Sequence, residues 1–274
     1  MSKETKCFEN PLITIITVCF NSEKTIEKTL QSVLKQTYSN YEYLIIDGAS
    51  KDNTLKILES YEEAFGGKLR VVSEKDDGIY DAMNKGIKKS NGQIIGILNS
   101  DDYYSENTLR FVAEKYEECK YEYLIINGDL ERVSENDEVI FRYHFTEKQI
   151  KNKEYFGHPS MFAAKAVYNR IGLYNMDYKL AADGEWQYRA HEDEEVKYVL
   201  CDEVFNHMRE GGASDNHKYI KKWFEERVRM KLAYNKSSKF SIYLQEVFAV
   251  IKTCIKLILP KKMHSVLYRV IYKI

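Results

Sequence analysis

Apolar runs alternate with helical spacings through the first half of the chain. Residues 12–20 are rich in Ile, Val and Thr and predict a strand; residues 22–36 place Ile26, Leu30, Val33 and Leu34 at helical spacing. Further strands are predicted over 43–47, 69–73, 94–98 and 123–127, with helices from about Asp52 and over 79–89 and 107–118. This order predicts an α/β fold with a mostly parallel central sheet flanked by helices. Continuous Ile and Leu, rather than alternation, fits strands buried on both faces. The second half is less regular. Strands are expected over 139–145 and 196–201, short helices over 163–171 and 184–191, and an amphipathic helix over 215–234 capped by Ser214 or Asp215.

In open parallel sheets, ligands bind outside the carboxyl ends of the strands. Here those ends read Asn21, Asp47-Gly48, Glu74 to Gly78 and Asn99-Ser100-Asp101-Asp102. Adjacent carboxylates at a strand end are hard oxygen ligands suited to Mn2+ or Mg2+; alternatively, Asp102 caps the next helix. Asp47 is placed to accept a hydrogen bond from a base or ribose, while Asp52 reads as a helix cap. Asp81, Asn84 and Lys85 share one helical turn, which either faces a site or forms a solvated helix start. Neither a G-x-G-x-x-G nor a G-x-x-x-x-G-K-[ST] run occurs, which weighs against a Rossmann dehydrogenase or a P-loop enzyme.

Composition adds three points. The net charge of −1 excludes a nucleic-acid partner recognised through bulk charge. Residues 236–274 nevertheless carry eight Lys/Arg against one acid, Glu246. The five cysteines are scattered without a Cys-x-x-Cys pair, which suits reduced thiols in a cytoplasmic compartment rather than zinc or a disulfide framework. The apolar run 11–20 is too short to span a bilayer and lacks a small-residue cleavage site, so it reads as a strand rather than a signal peptide.

Four stretches together carry a resemblance: Thr17-Val18-Cys19-Phe20-Asn21, Ile45 to Thr54, Asp76-Asp77-Gly78-Ile79-Tyr80-Asp81-Ala82-Met83-Asn84-Lys85-Gly86, and Leu98 to Asp102. The chain resembles the inverting glycosyltransferases of family 2, which have the GT-A fold, in matching order over roughly residues 12–210. The Gly78 to Gly86 run resembles a subgroup that builds bacterial surface polysaccharides. The resemblance implies a catalytic domain over 1–214, with a nucleotide-binding half to about 128 and an acceptor half over 129–214, followed by a helical extension over 215–274. It implies that a nucleotide-sugar donor, usually UDP-linked, meets Thr17, Val18, Asn21, Asp47, Asp76 and Asn84. Asn99-Ser100-Asp101 occupies the Asp-x-Asp position, with Asn99 replacing the first aspartate; Asp101 would bind Mn2+ or Mg2+, with His207 as a second ligand. Asp183, in Leu180 to Trp186, fits the position of the base that takes a proton from the acceptor hydroxyl. It also suits a helix N-cap, and Glu185 is the second candidate base. His158 would lie near the acceptor or sugar. His207 and Arg209 precede Gly211-Gly212, which suggests a mobile loop over the diphosphate, where Arg209 could add a bidentate contact.

The tail is the last unassigned feature. Residues 240–259 are apolar but interrupted by Glu246, Lys252 and Lys256, so a spanning helix is not expected. Basic and apolar residues on opposite stripes suit a helix lying on an anionic inner-leaflet surface, near a glycan or lipid-linked acceptor. The competing expectation is packing on the catalytic domain or on a second copy in a homo-oligomer. Two other function classes stay open: a nucleotidyltransferase, although the run Asn21 to Thr25 is not its Gly-rich basic loop, and a non-catalytic nucleotide-sugar binder.

Overall fold

Four of the predicted runs become four neighbouring strands of one sheet. They are β1 (Ile13–Cys19), β2 (Tyr41–Asp47), β3 (Leu69–Ser73) and β4 (Ile94–Ile97), and every residue of β1 and β4 is buried. The computed structural model describes residues 9–154, 156–211, 217–234 and 238–258, with the backbone alone at 217 and 256–258. Within it β3, β2, β1 and β4 are neighbours in that order and pair in parallel. Helices α1 (Ile26–Leu34), α2 (Thr54–Ser60) and α3 (Ile79–Lys89) connect or follow them. Helix α3 lies close on β1 because Gly86 has no side chain: a Cβ there would come within 2.5 Å of Ile16 Cγ2.

The chain steps outward from β1 to β2 and β3, then returns to the other side of β1 as β4. Strand order therefore reverses between β1 and β4. That reversal opens a crevice at the carboxyl ends of the two strands.

The second half extends the same sheet. It comprises β5 (Tyr103–Tyr104), α4 (Thr108–Cys119), β6 (Leu124–Val133), β7 (Val139–Tyr143), α5 (Glu147–Lys151), β8 (Met161–Ala164), α6 (Lys165–Ile171), α7 (Ala182–Glu192), β9 (Lys197–Arg209), α8 (Ile220–Tyr234) and α9 (Lys239–Ile258). Strand β8 runs antiparallel between β4 and β6, and β9 lies parallel to β6 on its far side. The short β5 and β7 pair antiparallel with β9 and β6.

The structure corrects the sequence reading at several element bounds: β6 runs to Val133, past the predicted 127, and α8 begins at Ile220 rather than 215. The predicted helix over 163–171 begins only at Lys165, because Met161–Ala164 is wholly buried as a strand between β4 and β6. Sheet pairing here overrides the helix preference of alanine. Strand β9 continues to Arg209, well past the predicted end at 201. The exposed Asp202 and Glu203 break the apolar pattern where its register with β6 shifts. The proposed caps Ser214 and Asp215, Gly212 and the segment 259–274 lie outside the described residues.

Helix α8 is tied to the body of the protein. Met230 joins the main core. Helix α9 in turn is held by Glu246, fully buried against Arg227 at 2.6 Å and Lys231 at 2.7 Å.

Candidate active site

The loops at the carboxyl ends of β1, β2 and β4 form one hydrogen-bonded rim. Asn21 adopts a left-handed backbone (φ 51°), which asparagine tolerates better than most residues. Its backbone N donates to Ser50 Oγ at 2.8 Å, and its Oδ1 accepts from Lys51 N at 2.8 Å. Ser22 N donates to Thr54 Oγ1 at 2.8 Å, and the Ser22 and Ser100 hydroxyls meet at 2.9 Å across the strand-order reversal. Asp52 accepts from the backbone N of Thr54 at 3.0 Å and of Glu23 at 3.1 Å, and so braces the start of α2, whose N-cap is Asn53 rather than Asp52 as expected.

A cavity of about 1940 Å³ opens over this rim. From the first half its wall carries Val18, Asn21, Asp76, Asn99, Ser100 and Asp101; from the second half, His158, Asp183 and Arg209. Asp101 and Asp183 therefore face one hollow from opposite halves.

Four of the residues singled out in the sequence lie off that wall. Thr17 is buried, with its hydroxyl 3.0 Å from Tyr43 Oη; adjacent strand positions face opposite sides, so Val18 reaches the cavity and Thr17 does not. Asp47 is fully buried behind the rim. It accepts from Ser50 N at 3.0 Å, from Ser73 Oγ at 2.6 Å and from the Ser50 hydroxyl. Asn84 turns away from the cavity and clamps Tyr174, donating to its carbonyl at 2.9 Å and accepting from its N–H at 3.0 Å. His207 stacks on Tyr103 (ring centroids 4.7 Å apart), with Nε2 3.0 Å from Ser105 Oγ and Nδ1 3.2 Å from Glu131 Oε2. The expected partnership of His207 with Asp101 is thus not the arrangement found.

The two carboxylates after β4 differ sharply. Asp101 is partly exposed on the wall. Asp102 is 2% exposed, and accepts from Asn99 Nδ2 at 2.9 Å and Arg209 N at 3.1 Å. Burial, reinforced by the charge of Asp101, pushes its carboxyl up to about 8. Asp102 therefore anchors the end of β9 to the β4 loop, and it is not the cap of α4, which begins at Thr108. Among the described residues no cluster of three or more His, Cys, Asp or Glu gathers to hold a metal. One accessible carboxylate still fits Mg2+ or Mn2+, because such ions take most of their ligands from water and substrate phosphates.

Of the two candidate bases, only Asp183 faces the cavity. It sits in the first turn of α7, after the N-cap Ala181, and its Oδ1 accepts from the Tyr80 hydroxyl at 2.7 Å. Glu185 is buried, bonded to Arg189 Nε at 3.0 Å and to the Tyr234 hydroxyl at 2.6 Å. His158 is on the wall, with Nε2 2.7 Å from Tyr174 Oη. Burial lowers its pKa, opposed in part by the charge of Asp183, so it is a neutral hydrogen-bonding group at pH 7. The Arg209 guanidinium lies 3.5 Å from Asp137 Oδ1, and its Nε is buried without a hydrogen-bond partner among the described residues.

Sequence reasoning missed several contributors. Tyr80 stands inside the motif run without an assigned role. Arg132 also lines the cavity, from the part of β6 beyond the predicted end at 127. Trp223 reaches the wall from α8, and Glu226 on the same helix accepts the backbone N–H groups of Lys179 (2.9 Å), Leu180 (2.8 Å) and Ala181 (3.2 Å). These are the residues that lead into Asp183. The available signal was an acid within an otherwise amphipathic helix pattern.

Comparison with known proteins agrees with this geometry. The family model described as glycosyl transferase family 2 matches residues 14–174. A PGL/p-HBAD biosynthesis glycosyltransferase of Mycobacterium bovis is 30% identical over 182 residues, 65% of this chain and 69% of that one. Among solved structures, S. aureus TarS 1–349 in complex with UDP-GlcNAc superposes with a TM-score of 0.67 at 19% identity, covering 92% of this chain and 77% of that one. A longer TarS structure matches 88% of this chain but only 43% of its own length (TM-score 0.63, 18% identity). The mannosyltransferase PcManGT from Pyrobaculum calidifontis, in complex with GDP-Man and Mn2+, gives a TM-score of 0.59 at 18% identity, covering 88% and 70% of the two chains.

Proposed function

Because the chain belongs to glycosyl transferase family 2, we propose that it moves a sugar from a UDP-linked donor to an acceptor hydroxyl with inversion, using Mn2+ or Mg2+, in the synthesis of a bacterial surface glycan. The observation that carries this reading is the shared cavity: Asp101 at the tip of β4 and Asp183 at the start of α7 look into it from opposite halves. The donor would lie over the rim, against Val18, Asn21 and Asp76, with Asn99 and Ser100 beside the ribose. Thr17, Asp47 and Asn84 would act from behind, holding β1, the β2 loop and Tyr174 in place. Asp101 would hold the metal. Held there, a divalent ion would supply positive charge to offset the charge gathering on the leaving diphosphate. Arg209, whose Nε is buried without a hydrogen-bond partner among the described residues, would add a contact to the same diphosphate. Asp183 would accept the acceptor proton during in-line attack, and His158 would hydrogen-bond the acceptor or the transferred sugar.

The test is a melting-temperature screen of nucleotide sugars with and without Mn2+. A donor at about 100 times its Kd contributes ~2.7 kcal/mol of linkage, about 5–10 °C for a chain of this size. We expect a UDP-sugar to give this shift only with Mn2+. GDP-sugars belong in the same screen, given the GDP-Man complex of PcManGT. A shift with nucleoside triphosphates alone would favour a nucleotidyltransferase, and silence from every nucleotide sugar would refute the reading.

The acceptor side points to a membrane surface. Helix α9 buries its acid, Glu246, and exposes Phe240 (78%), Tyr243, Leu244, Val247, Phe248, Ile251 and Ile255. None of the described helices is long and apolar enough to cross a membrane. Phe248 and Lys252 also line the cavity, which therefore opens beside this apolar face. We read α9 as a helix lying on the anionic inner leaflet, near a lipid-linked acceptor, with the basic residues that follow it in sequence adding charge attraction. Deleting residues 240–274 should abolish sedimentation with anionic vesicles. The variant Phe240→Asp/Leu244→Asp/Ile251→Asp should do the same while leaving Glu246 in its pairs. Undiminished vesicle binding by both would overturn this reading; if a homo-oligomer also dissociated, the face would belong to a second copy.

A further inference from the structure

We propose that Tyr80 is a positioning residue for Asp183: its hydroxyl holds one carboxylate oxygen so that the other faces the acceptor. The inference rests on the reading of Asp183 as the base. Three observations carry it. The Tyr80 hydroxyl lies 2.7 Å from Asp183 Oδ1, and among the described residues this is the side-chain hydrogen bond that Asp183 accepts. Both residues line the cavity, yet Tyr80 is only 7% exposed, so its ring is fixed by packing. Burial first, and then the charge of Asp183, hold the phenol proton well above its usual range, so Tyr80 stays a donor throughout the working pH.

Helix α3 extends this control beyond one bond. The Tyr80 ring packs at 5.6 Å on Tyr174, whose hydroxyl holds His158 at 2.7 Å. Asn84, one turn later, fixes the Tyr174 backbone. Helix α3 follows its N-cap Gly78, whose φ of +113° only glycine adopts readily, and Asp76 on the donor side of the wall lies two residues before that cap. Asp76, which would meet the donor, and Tyr80, which orients the base, are thus four residues apart across the start of α3.

Tyr80→Phe keeps the ring and its packing and removes only the hydroxyl. We expect kcat to fall about 10- to 100-fold, the scale on which reacting groups respond to misplacement. The donor KM and the donor-induced melting shift should stay unchanged. A donated hydrogen bond favours the charged carboxylate, so the acid limb of the kcat profile should move to higher pH. The other titratable groups near Asp183 are His158, Tyr174 and, from α8, Glu226; Tyr174→Phe, which frees His158 but keeps the Tyr80 bond, should leave the acid limb in place. Replacing Tyr80 with 3-fluorotyrosine, a stronger donor, should move the limb to lower pH and provides a second readout if the phenylalanine variant is unstable. Wild-type kcat with an unmoved acid limb in both variants would overturn the proposal. Assayed in parallel, Asp183→Asn separates the two readings: if it is inactive while Tyr80→Phe is normal, only the positioning role fails, whereas an active Asp183→Asn removes the base assignment itself.

Discussion

Asp183→Asn is expected to bind its nucleotide sugar as the parent chain does and to lose about 10²–10⁴-fold in kcat, the contribution of a well-placed general base. An amide is nearly isosteric with a carboxylate, and its Oδ1 can still accept from the Tyr80 hydroxyl, so the start of α7 should keep its shape. What it cannot do is take the proton that the acceptor hydroxyl must shed. The neighbouring acids offer no substitute. Glu185 is committed to Arg189 and Tyr234, and Glu226 to the backbone of 179–181. Single-turnover kinetics with saturating donor would isolate the chemical step. Full activity in this variant would remove Asp183 from the reaction.

A second large effect is expected for Asp101→Ala, which should lose the Mn2+-dependent part of donor binding and at least about 10³-fold in kcat/KM. A divalent ion is worth several kcal/mol at a developing diphosphate, and each 1.36 kcal/mol is tenfold in rate. The adjacent Asp102 cannot take over. It is buried and spends its oxygens on Asn99 Nδ2 and Arg209 N. Its removal would loosen β9 rather than replace a ligand. Calorimetric titration with the donor, with and without Mn2+, measures the effect directly. A variant that still bound donor more tightly with Mn2+ than without would move the ion elsewhere on the wall.

The parallel half of the fold was legible because its strands are short, mostly apolar runs closed by polar residues, as in Leu44-Ile45-Ile46-Asp47, and α3 emerged with its predicted ends at Ile79 and Lys89. The second half was harder. Met161–Ala164 carries two alanines and only its neighbours make it a strand, while Asp202-Glu203 masks the continuity of β9 at a register shift. For the site, chain position showed which loops would converge but not which way each side chain would turn. Val18 and Thr17 are adjacent and only one reaches the cavity; Asp101 and Asp102 are adjacent and only one is open to a ligand. His207, Asp47 and Asn84 turned out to be braces for the same reason. Glu226 was hidden by distance: a carboxylate more than forty residues downstream holds the turn that leads into Asp183.

The bonds from Tyr80 and Asn84 across to Asp183 and Tyr174, and from Glu226 back to Leu180, also bear on how acceptor preference can be re-engineered. A chimera that transplants only residues 129–214 from a relative would sever all three seams at once. Compatible swaps must carry α3 and α8 along with the transplanted half, so within this lineage recombination should conserve those two helices as a matched set with the segment they clasp.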